Sequence, residues 1–78
     1  MGSLVGTLVT AIQKVISDHP QSDSVPQAYY KLGQSYEALK QVDLARRAYE
    51  TLLKNFPNDL SYGQLARQRL DSLNRKGD

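Results

Sequence analysis

The chain has 78 residues, and its 10 basic side chains against 8 acidic ones give a formal net charge of +2. A chain of this length forms one small domain at most and buries only about 60% of the surface that its unfolded form exposes. Most catalytic folds need more residues. With 40% hydrophobic and 23% charged residues and no run near the ~18 consecutive apolar residues of a membrane span, the composition predicts a soluble globular domain that does not cross a membrane.

The chain contains no cysteine, which removes disulfides, thiolate nucleophiles and Cys-based zinc sites. This absence is compatible with the cytosol and equally with an oxidising space such as the bacterial periplasm. The opening Met1-Gly2-Ser3 has the form of an added start, because no basic n-region and no cleavage site follow it. We therefore expect any native targeting signal to be missing from this chain.

The first segment repeats its apolar residues at spacings of three and four, which predicts a helix over about 4–18. Its apolar arc is wide for a surface helix, so neighbours must cover it on two sides. His19-Pro20 ends this helix, because a residue before proline is pushed out of the α region. Ser24 to Gln27 combine a capping-box spacing with proline in the first turn, which predicts a second helix over about 25–39.

Two further helices follow in the second half of the chain. Asp43 is placed to cap a third helix over about 43–55, which Phe56-Pro57 ends. Asn58 or Asp59 is the expected cap of a fourth helix over about 60–75, and a polar tail over 76–78 follows it. No strand pattern occurs. The sequence therefore predicts an all-α fold, with one domain over 4–75 after the start at 1–3.

An internal repeat organises these helices. Pro20 and Pro57 each follow a pair of apolar residues and three further residues, and they lie 37 residues apart, close to the ~34-residue period of tetratricopeptide repeats. The chain resembles the consensus of that family at Tyr29, Leu32, Gly33, Tyr36, Ala45, Tyr49 and Pro57. The alternative is an unrelated helical hairpin that matches these positions.

The residue types at these positions have a physical reason. Gly33 and Ala45 are small enough for helices to approach closely, and the large rings fill the space between repeats. Lys40-Gln41 departs from the usual Gly-Asp of the family in the turn between the two helices, which leaves the geometry of that turn open.

A narrower resemblance comes from residues 19–33 and 65–73. They are similar to the carboxy-terminal repeat domain of the periplasmic Tol-Pal cell division coordinators, whose long inter-repeat loop and Ala-Arg-Gln-Arg-Leu-like final helix they share. The resemblance spans about residues 12–73, and outer-membrane assembly lipoproteins share part of it. It implies about one and a half tetratricopeptide repeats plus a C-terminal capping helix, in a periplasmic protein that binds TolA. A structural scaffold repeat of an outer-membrane lipoprotein assembly factor is the alternative.

The resemblance also implies a partner-binding surface. In this family the first helix of each repeat lines a concave groove that contacts peptides, and the outward positions of that helix are here Gln27, Tyr30, Gln34, Glu37 and Ala38. None of them is cationic, so they suit a peptide better than a phosphate or a nucleic acid. Tyr30 and Gln34 are the strongest candidates, because a rigid phenol and a bifunctional amide give contact area and hydrogen bonds. The alternative is a solvated helix face.

The remaining polar residues form no pattern typical of a catalytic, metal-binding or nucleic-acid-binding site. The basic residues of the last half are expected to form a solvated face and to complement a helix C-terminus, rather than to bind nucleic acid; they are Lys54, Arg67, Arg69, Arg75 and Lys76. His19 is the only histidine and has no ligand-type neighbour at metal spacing. No nucleophile–base pair or Gly-rich phosphate loop occurs. We expect no enzymatic activity, no catalytic residue, no cofactor and no metal.

The first helix corresponds to the second helix of a repeat whose own first helix is absent. Because a repeat buries its apolar face only by stacking, we expect a homodimer, formed either by packing two first helices together or by exchanging them between chains. The residues expected to make this contact are Leu4, Val5, Leu8, Val9 and Ile12.

Overall fold

The computed structural model describes residues 3–76 and contains four α-helices. These are α1 (Ser3–Asp18), α2 (Val25–Ala38), α3 (Val42–Asn55) and α4 (Tyr62–Lys76). No strand occurs among these residues, and the prediction of an all-α fold is confirmed. The fourth helix begins at Tyr62, about two residues later than expected. The predicted start at 1–3 and the predicted tail at 76–78 lie mostly outside the described residues, and their described residues Ser3 and Lys76 belong to α1 and α4.

Each helix packs against the next one along the chain, and α2 makes an additional, smaller contact with α4. The molecule is flat and measures 34 × 31 × 15 Å along its principal axes. α2 and α3 lie at its centre, because α2 packs against α1, α3 and α4, and α3 packs against α2 and α4. The outer helices α1 and α4 each turn one side to solvent.

The core centres on α3. Ala45, Tyr49 and Leu52 have no exposed surface, and they pack with Ala66 and Leu73 of α4. A second cluster joins α1, α2 and α3 and consists of Val9, Leu32 and Ala48. Burying a valine or leucine side chain stabilises the folded state by about 1.5–3 kcal/mol, and each alanine methyl adds less. These two clusters therefore hold the four helices together.

The close approach of α2 and α3 depends on Gly33. A Cβ atom added to Gly33 would lie under 3.0 Å from three ring atoms of Tyr49. The ring therefore lies directly on the backbone of α2, where no side chain larger than a hydrogen atom fits. This confirms the prediction that Gly33 is small so that the helices can approach.

The turn between α2 and α3 closes in a Schellman motif. The backbone N–H groups of Lys40 and Gln41 donate to the carbonyl oxygens of Glu37 and Tyr36, each at 2.9 Å. Lys40 adopts the left-handed conformation, with φ at 62°. Glycine is favoured at such a position because it has no Cβ. The departure of this chain from the family consensus therefore leaves the turn intact but places a strained lysine in it.

The predicted cap of α2 does not form. Ser24 lies in the right-handed helical region, with φ −84° and ψ −6°, and its side chain makes no capping hydrogen bond. The backbone N–H of Ser24 donates a hydrogen bond to the hydroxyl of Ser22 at 3.2 Å. A capping serine needs an extended backbone to bring its oxygen over the first turn, and the loop here is already helical at Ser24.

The predicted cap of α3 is also wrong. Gln41 precedes the helix, and Asp43 lies inside the first turn, because the Schellman turn leads into the helix one residue earlier than expected. Asp43 pairs there with Arg46 at 3.6 Å, and its charge still favours the positive end of the helix dipole.

The predicted cap of α4 is confirmed for Asp59. Its Oδ1 atom accepts hydrogen bonds from the backbone N–H groups of Ser61, Tyr62 and Gly63, at 3.0, 2.7 and 3.1 Å. These donors have no partner within the helix, so the carboxylate satisfies them and complements the helix dipole at the same time.

Candidate partner-binding surface

One stripe of α2 is open to solvent. It consists of Gln27, Lys31, Gln34 and Ala38, which follow one another at spacings of four, three and four residues and so share one face of the helix. Lys31, Gln34 and Ala38 are exposed, and Gln27 is half-buried. We call these four residues the α2 stripe. Three of them, all except Lys31, belong to the predicted partner-binding residues.

Tyr30 borders the α2 stripe and is half-buried. Its ring lies between the rings of Tyr49 and Tyr62, with centroid distances of 5.9 and 5.8 Å and tilted planes. Aromatic pairs in this geometry stabilise the fold beyond the area they bury. Tyr30 therefore joins α2 to α3 and α4, and only the part of the ring that remains exposed is available to a partner.

Glu37 is tied to two other helices. Its carboxylate accepts a hydrogen bond from the hydroxyl of Tyr49, one from Nε of Arg69 at 3.2 Å, and a further one from Nη2 of Arg69. The arginine thus holds both carboxylate oxygens, a geometry that is stronger and more directional than a single ion pair. Glu37 was predicted as an outward contact residue, and the structure corrects this: it braces α2 against α3 and α4.

The hydrogen bonds among Glu37, Tyr49 and Arg69 remain formed at neutral pH, because the protonation states that they require are stable there. Burial raises the pKa of the Tyr49 hydroxyl well above its ordinary range, and the hydrogen bond to Glu37 raises it further. The hydrogen bond to Glu37 raises the pKa of Arg69 as well. The phenol therefore stays protonated and donates, while the charges of Glu37 and Arg69 compensate each other. The paired Glu37 and Arg69 therefore offer no net charge to a phosphate or a nucleic acid.

Gln27 lies at the opposite border, towards α1. Together with Lys31 and Ala28 it lines a shallow cavity of about 200 Å³, whose other wall is formed by Ile12 and Val15 of α1. The five predicted residues therefore do not form one uniform patch. Gln27 borders α1, Tyr30 and Glu37 border α4, and Gln34 and Ala38 lie on the exposed ridge of α2.

Two residues that belong to this surface were missed. Lys31 lies in the α2 stripe between Gln27 and Gln34, so the surface does carry a cation, contrary to the expectation; the helical spacing alone would have found it. Arg69 was expected on a solvated basic face. Its partner Glu37 lies 32 residues away in the sequence, and no local pattern signals that pairing.

The residues expected at a self-association surface fall into two groups. Val9 is only 8% exposed and packs inside the chain with Leu32 and Ala48, so it is not available to a second chain. Val5 and Ile12 are half-buried. Leu4 and Leu8 are 81% and 54% exposed, as the expectation requires.

Two further findings concern metal binding and membrane spanning. Among residues 3–76 no group of three His, Cys, Asp or Glu side chains is placed to hold a metal ion. In the same part of the chain no helix has both the length and the apolar character that a membrane crossing requires.

The matched family is consistent with this geometry. Residues 27–59 match the family model of the tetratricopeptide repeat. The α2–α3 hairpin is therefore similar to one such repeat. The match begins in the α2 stripe and ends at the Asp59 cap, so it covers the α2–α3 hairpin, while α1 and α4 lie outside it. No curated protein and no solved structure matches the chain. Tetratricopeptide repeats form interaction surfaces for other proteins.

Proposed function

We propose that this chain is a non-enzymatic module that binds a peptide segment of another protein along the α2 stripe. The observation that carries the proposal is the stripe itself, an exposed row of polar and small residues on the first helix of a tetratricopeptide repeat. The ring of Tyr30 and the paired Glu37 and Arg69 hold α2 against α4 beside it. The surface is therefore rigid before a partner arrives, which lowers the entropic cost of binding.

The chemistry of the stripe favours a peptide. The amides of Gln27 and Gln34 each donate and accept hydrogen bonds, and a peptide backbone offers both kinds of partner. Ala38 leaves room for a side chain. Lys31 adds one positive charge, which favours an acidic residue in the peptide. Binding to nucleic acid is driven by several uncompensated cations, and the nearby Arg69 is already paired with Glu37.

The finer proposal is that the chain is part of a periplasmic Tol-Pal cell division coordinator and that its partner is TolA. It is supported by the resemblance of residues 19–33 and 65–73 to that family and by the tetratricopeptide match over residues 27–59. A chain without cysteine is also suited to an oxidising compartment, because it cannot form wrong disulfides.

A second candidate is a structural scaffold repeat of an outer-membrane lipoprotein assembly factor. It is favoured by two exposed leucines on different parts of the surface, Leu4 in α1 and Leu60 in the loop before α4, which are 81% and 75% exposed. A repeat that is permanently packed against other subunits would cover both.

The test is calorimetric titration of the whole chain with the periplasmic domain of TolA. Gln34→Ala removes one amide from the centre of the stripe, and Gln68→Ala is the matched control, because Gln68 is an exposed glutamine of α4 outside the stripe. Losing one hydrogen bond of about 1–1.5 kcal/mol weakens binding by roughly 5- to 10-fold. We expect that loss for Gln34→Ala and no change for the control.

Other results would count against the proposal in different ways. Equal affinity of the two variants would place the binding surface elsewhere. No binding of TolA by the unaltered chain would remove the Tol-Pal assignment and leave the scaffold function as the stronger candidate.

We further propose that the chain forms a homodimer through α1. The support is the exposure of Leu4 and Leu8 on that helix, because apolar side chains of this size are stabilised by removal from water. Sedimentation equilibrium across a concentration series tests it, and a monomer at every concentration would contradict it.

A further inference from the structure

The loops before α2 and α4 enclose a surface cavity of about 490 Å³ between the segments 21–26 and 55–59. We call it the loop cavity. Its volume falls within the range of roughly 300–1,000 Å³ in which most ligand sites lie. All of its lining residues lie between residues 21 and 59, so neither wall is formed by an end of the chain.

The loop cavity is acidic. Asp23 and Asp59 line it, and among the described residues no basic side chain does. Asp23 is exposed and forms no ion pair within residues 3–76. Asp59 caps α4 through Oδ1, which leaves its Oδ2 atom without a hydrogen bond in the same part of the chain. The cavity therefore carries negative charge in a chain whose formal net charge is +2.

The helix ends around the loop cavity do not cancel this charge. α2 and α4 begin beside it and α3 ends beside it. A helix N-terminus contributes roughly half a positive charge, and a C-terminus roughly half a negative one. Two full carboxylate charges outweigh these contributions. The cavity therefore attracts a cation and repels phosphates and carboxylates.

The loop cavity also offers apolar surface. Pro26, Phe56 and Pro57 line it together with the carboxylates, and Phe56 is half-buried. A metal ion would need several oxygen ligands, and among residues 3–76 no group of three His, Cys, Asp or Glu side chains is placed to supply them. A guanidinium suits the combination better, because it stacks on aromatic faces and binds carboxylates through paired N–H groups.

We propose that the loop cavity receives an arginine side chain of a protein partner. The guanidinium stacks on the ring of Phe56 and donates hydrogen bonds to the carboxylate of Asp23 and to the free Oδ2 atom of Asp59. This contact goes beyond the proposed function, because the cavity and the α2 stripe share no residue.

The lining favours an arginine within a peptide over the free amino acid. Free arginine carries an α-carboxylate, which the two aspartates repel and which no described lining residue pairs with. In a peptide this carboxylate is replaced by a neutral amide. The exposed amide side chains of Gln21, Asn55 and Asn58 also line the cavity, and amides both donate hydrogen bonds to peptide groups and accept them.

The experiment is a titration of the whole chain with Nα-acetyl-argininamide, which carries the side chain between two neutral amides. Two-dimensional amide NMR follows the titration up to about 20 mM, because a single side chain in an open cavity should bind with a dissociation constant on the order of 1 mM. We expect saturable shifts confined to residues 21–26 and 55–59. Free arginine and Nα-acetyl-lysinamide should each bind at least about 3-fold more weakly.

Asp23→Asn tests the charge of the loop cavity and keeps the size of an exposed side chain. Loss of a charge-assisted hydrogen bond should weaken binding of Nα-acetyl-argininamide about 5-fold or more. Glu50→Gln is the matched control, because Glu50 is an exposed carboxylate of α3 outside the cavity. At about 0.15 M salt, where separated surface charges are screened, the control should bind like the unaltered chain.

Phe56→Leu tests the ring. The change keeps an apolar side chain and both carboxylates but removes the aromatic face, so the preference for arginine over lysine should disappear. The dispersion of the amide spectra verifies that each variant is folded. If Phe56→Leu does not fold, Phe56→Met takes its place, and Asp23→Asn decides the charge contribution independently.

The possible failures are separable. Absence of a saturable shift, shifts outside the two loops, or undiminished binding by Asp23→Asn overturns the site. Equal binding of the lysine compound overturns the assignment to arginine, because charge alone would then explain the affinity. Tighter binding of free arginine overturns the peptide as its source. None of these results alters the proposal for the α2 stripe, which the titration with TolA tests separately.

Discussion

Replacing Gly33 by alanine tests the closest contact in this fold. In an open helix the change would stabilise the protein by about 0.5–1 kcal/mol, because alanine loses less backbone entropy than glycine. At Gly33 the added methyl carbon would lie under 3.0 Å from three ring atoms of Tyr49. Tyr49 has no exposed surface, and its hydroxyl is bound to Glu37, so the ring has little freedom to withdraw.

The expected cost follows from these constraints. Overpacking of a well-filled core costs typically about 1–3 kcal/mol, and a shift of the ring also weakens a hydrogen bond to a charged group, worth about 1.5–3 kcal/mol. After subtraction of the helix-propensity gain, Gly33→Ala should lower the free energy of unfolding by roughly 2–4 kcal/mol. For a domain with a total stability of about 5–15 kcal/mol this is a large fraction.

Gly6→Ala is the matched control. Gly6 lies within α1, and apart from its chain neighbours and the backbone of its own helix no atom lies within 4 Å of the position that its Cβ would take. We expect this variant to gain about 0.5–1 kcal/mol from helix propensity alone. Urea unfolding followed by circular dichroism measures both variants under the same conditions, with the slope against denaturant as a check that the transition stays two-state.

A double-mutant cycle identifies the cause. Tyr49→Leu removes the aromatic ring, so Gly33→Ala should cost clearly less in that background than in the unaltered chain. If Gly33→Ala stabilises the protein as much as Gly6→Ala does, the ring of Tyr49 does not lie on the backbone of α2, and the close approach of α2 and α3 does not depend on Gly33.

Three further predictions concern the turn, the cap and the Tyr49 network. Lys40→Gly relieves the left-handed φ of 62° and should raise the urea midpoint, corresponding to about 1 kcal/mol; an unchanged midpoint would show that Lys40 is not strained. Asp59→Ala removes three cap hydrogen bonds and should cost about 0.5–2 kcal/mol, whereas Asn58→Ala should be nearly neutral, and similar losses would contradict the assigned cap. Because the folded-state pKa of Tyr49 is raised above the ordinary 10.0, its contribution to stability is complete below pH 10 and declines above it. Urea unfolding from pH 8 to pH 11 should show this decline, and Tyr49→Phe should reduce it.

The paired Glu37 and Arg69 bear on how a partner is recognised. Because the two charges compensate each other, the surface beside the α2 stripe offers shape and amide hydrogen bonds more than charge. Lys31 is the one cation of the stripe. Binding along the stripe should therefore depend only weakly on ionic strength, in contrast to a basic nucleic-acid surface.

Local signals predicted the helices well and their ends less well. Pro20 and Pro57 follow the ends of α1 and α3, because proline lacks the backbone N–H that a helix interior requires. The cap at Asp59 was predicted and forms. Ser24 and Asp43 have suitable side chains for capping, but the loop conformation before each helix places them inside the helical region, and loop conformation is not encoded in the identity of one residue.

The candidate partner-binding surface was likewise predicted only in part from the sequence. The resemblance to the repeat family implied Gln27, Gln34 and Ala38 as outward positions, and helical spacing places Lys31 on the same face. The role of Glu37 did not, because its partners Tyr49 and Arg69 come from other helices. Contacts between residues that are distant in sequence depend on how helices are placed, which no local pattern reports.

The sequence by itself determined the all-α class, the repeat period and the α2–α3 hairpin, since periodicity, proline positions and small residues act within one helix or between neighbouring ones. Only the tertiary structure decided which apolar residues of α1 are covered and which remain open. Val9 and Leu8 are adjacent and both apolar, and the periodicity that makes each a core candidate does not distinguish them. Packing against Leu32 of α2 and Ala48 of α3 covers Val9 and leaves Leu8 exposed, because within the described residues α1 has neighbouring helices on one side only.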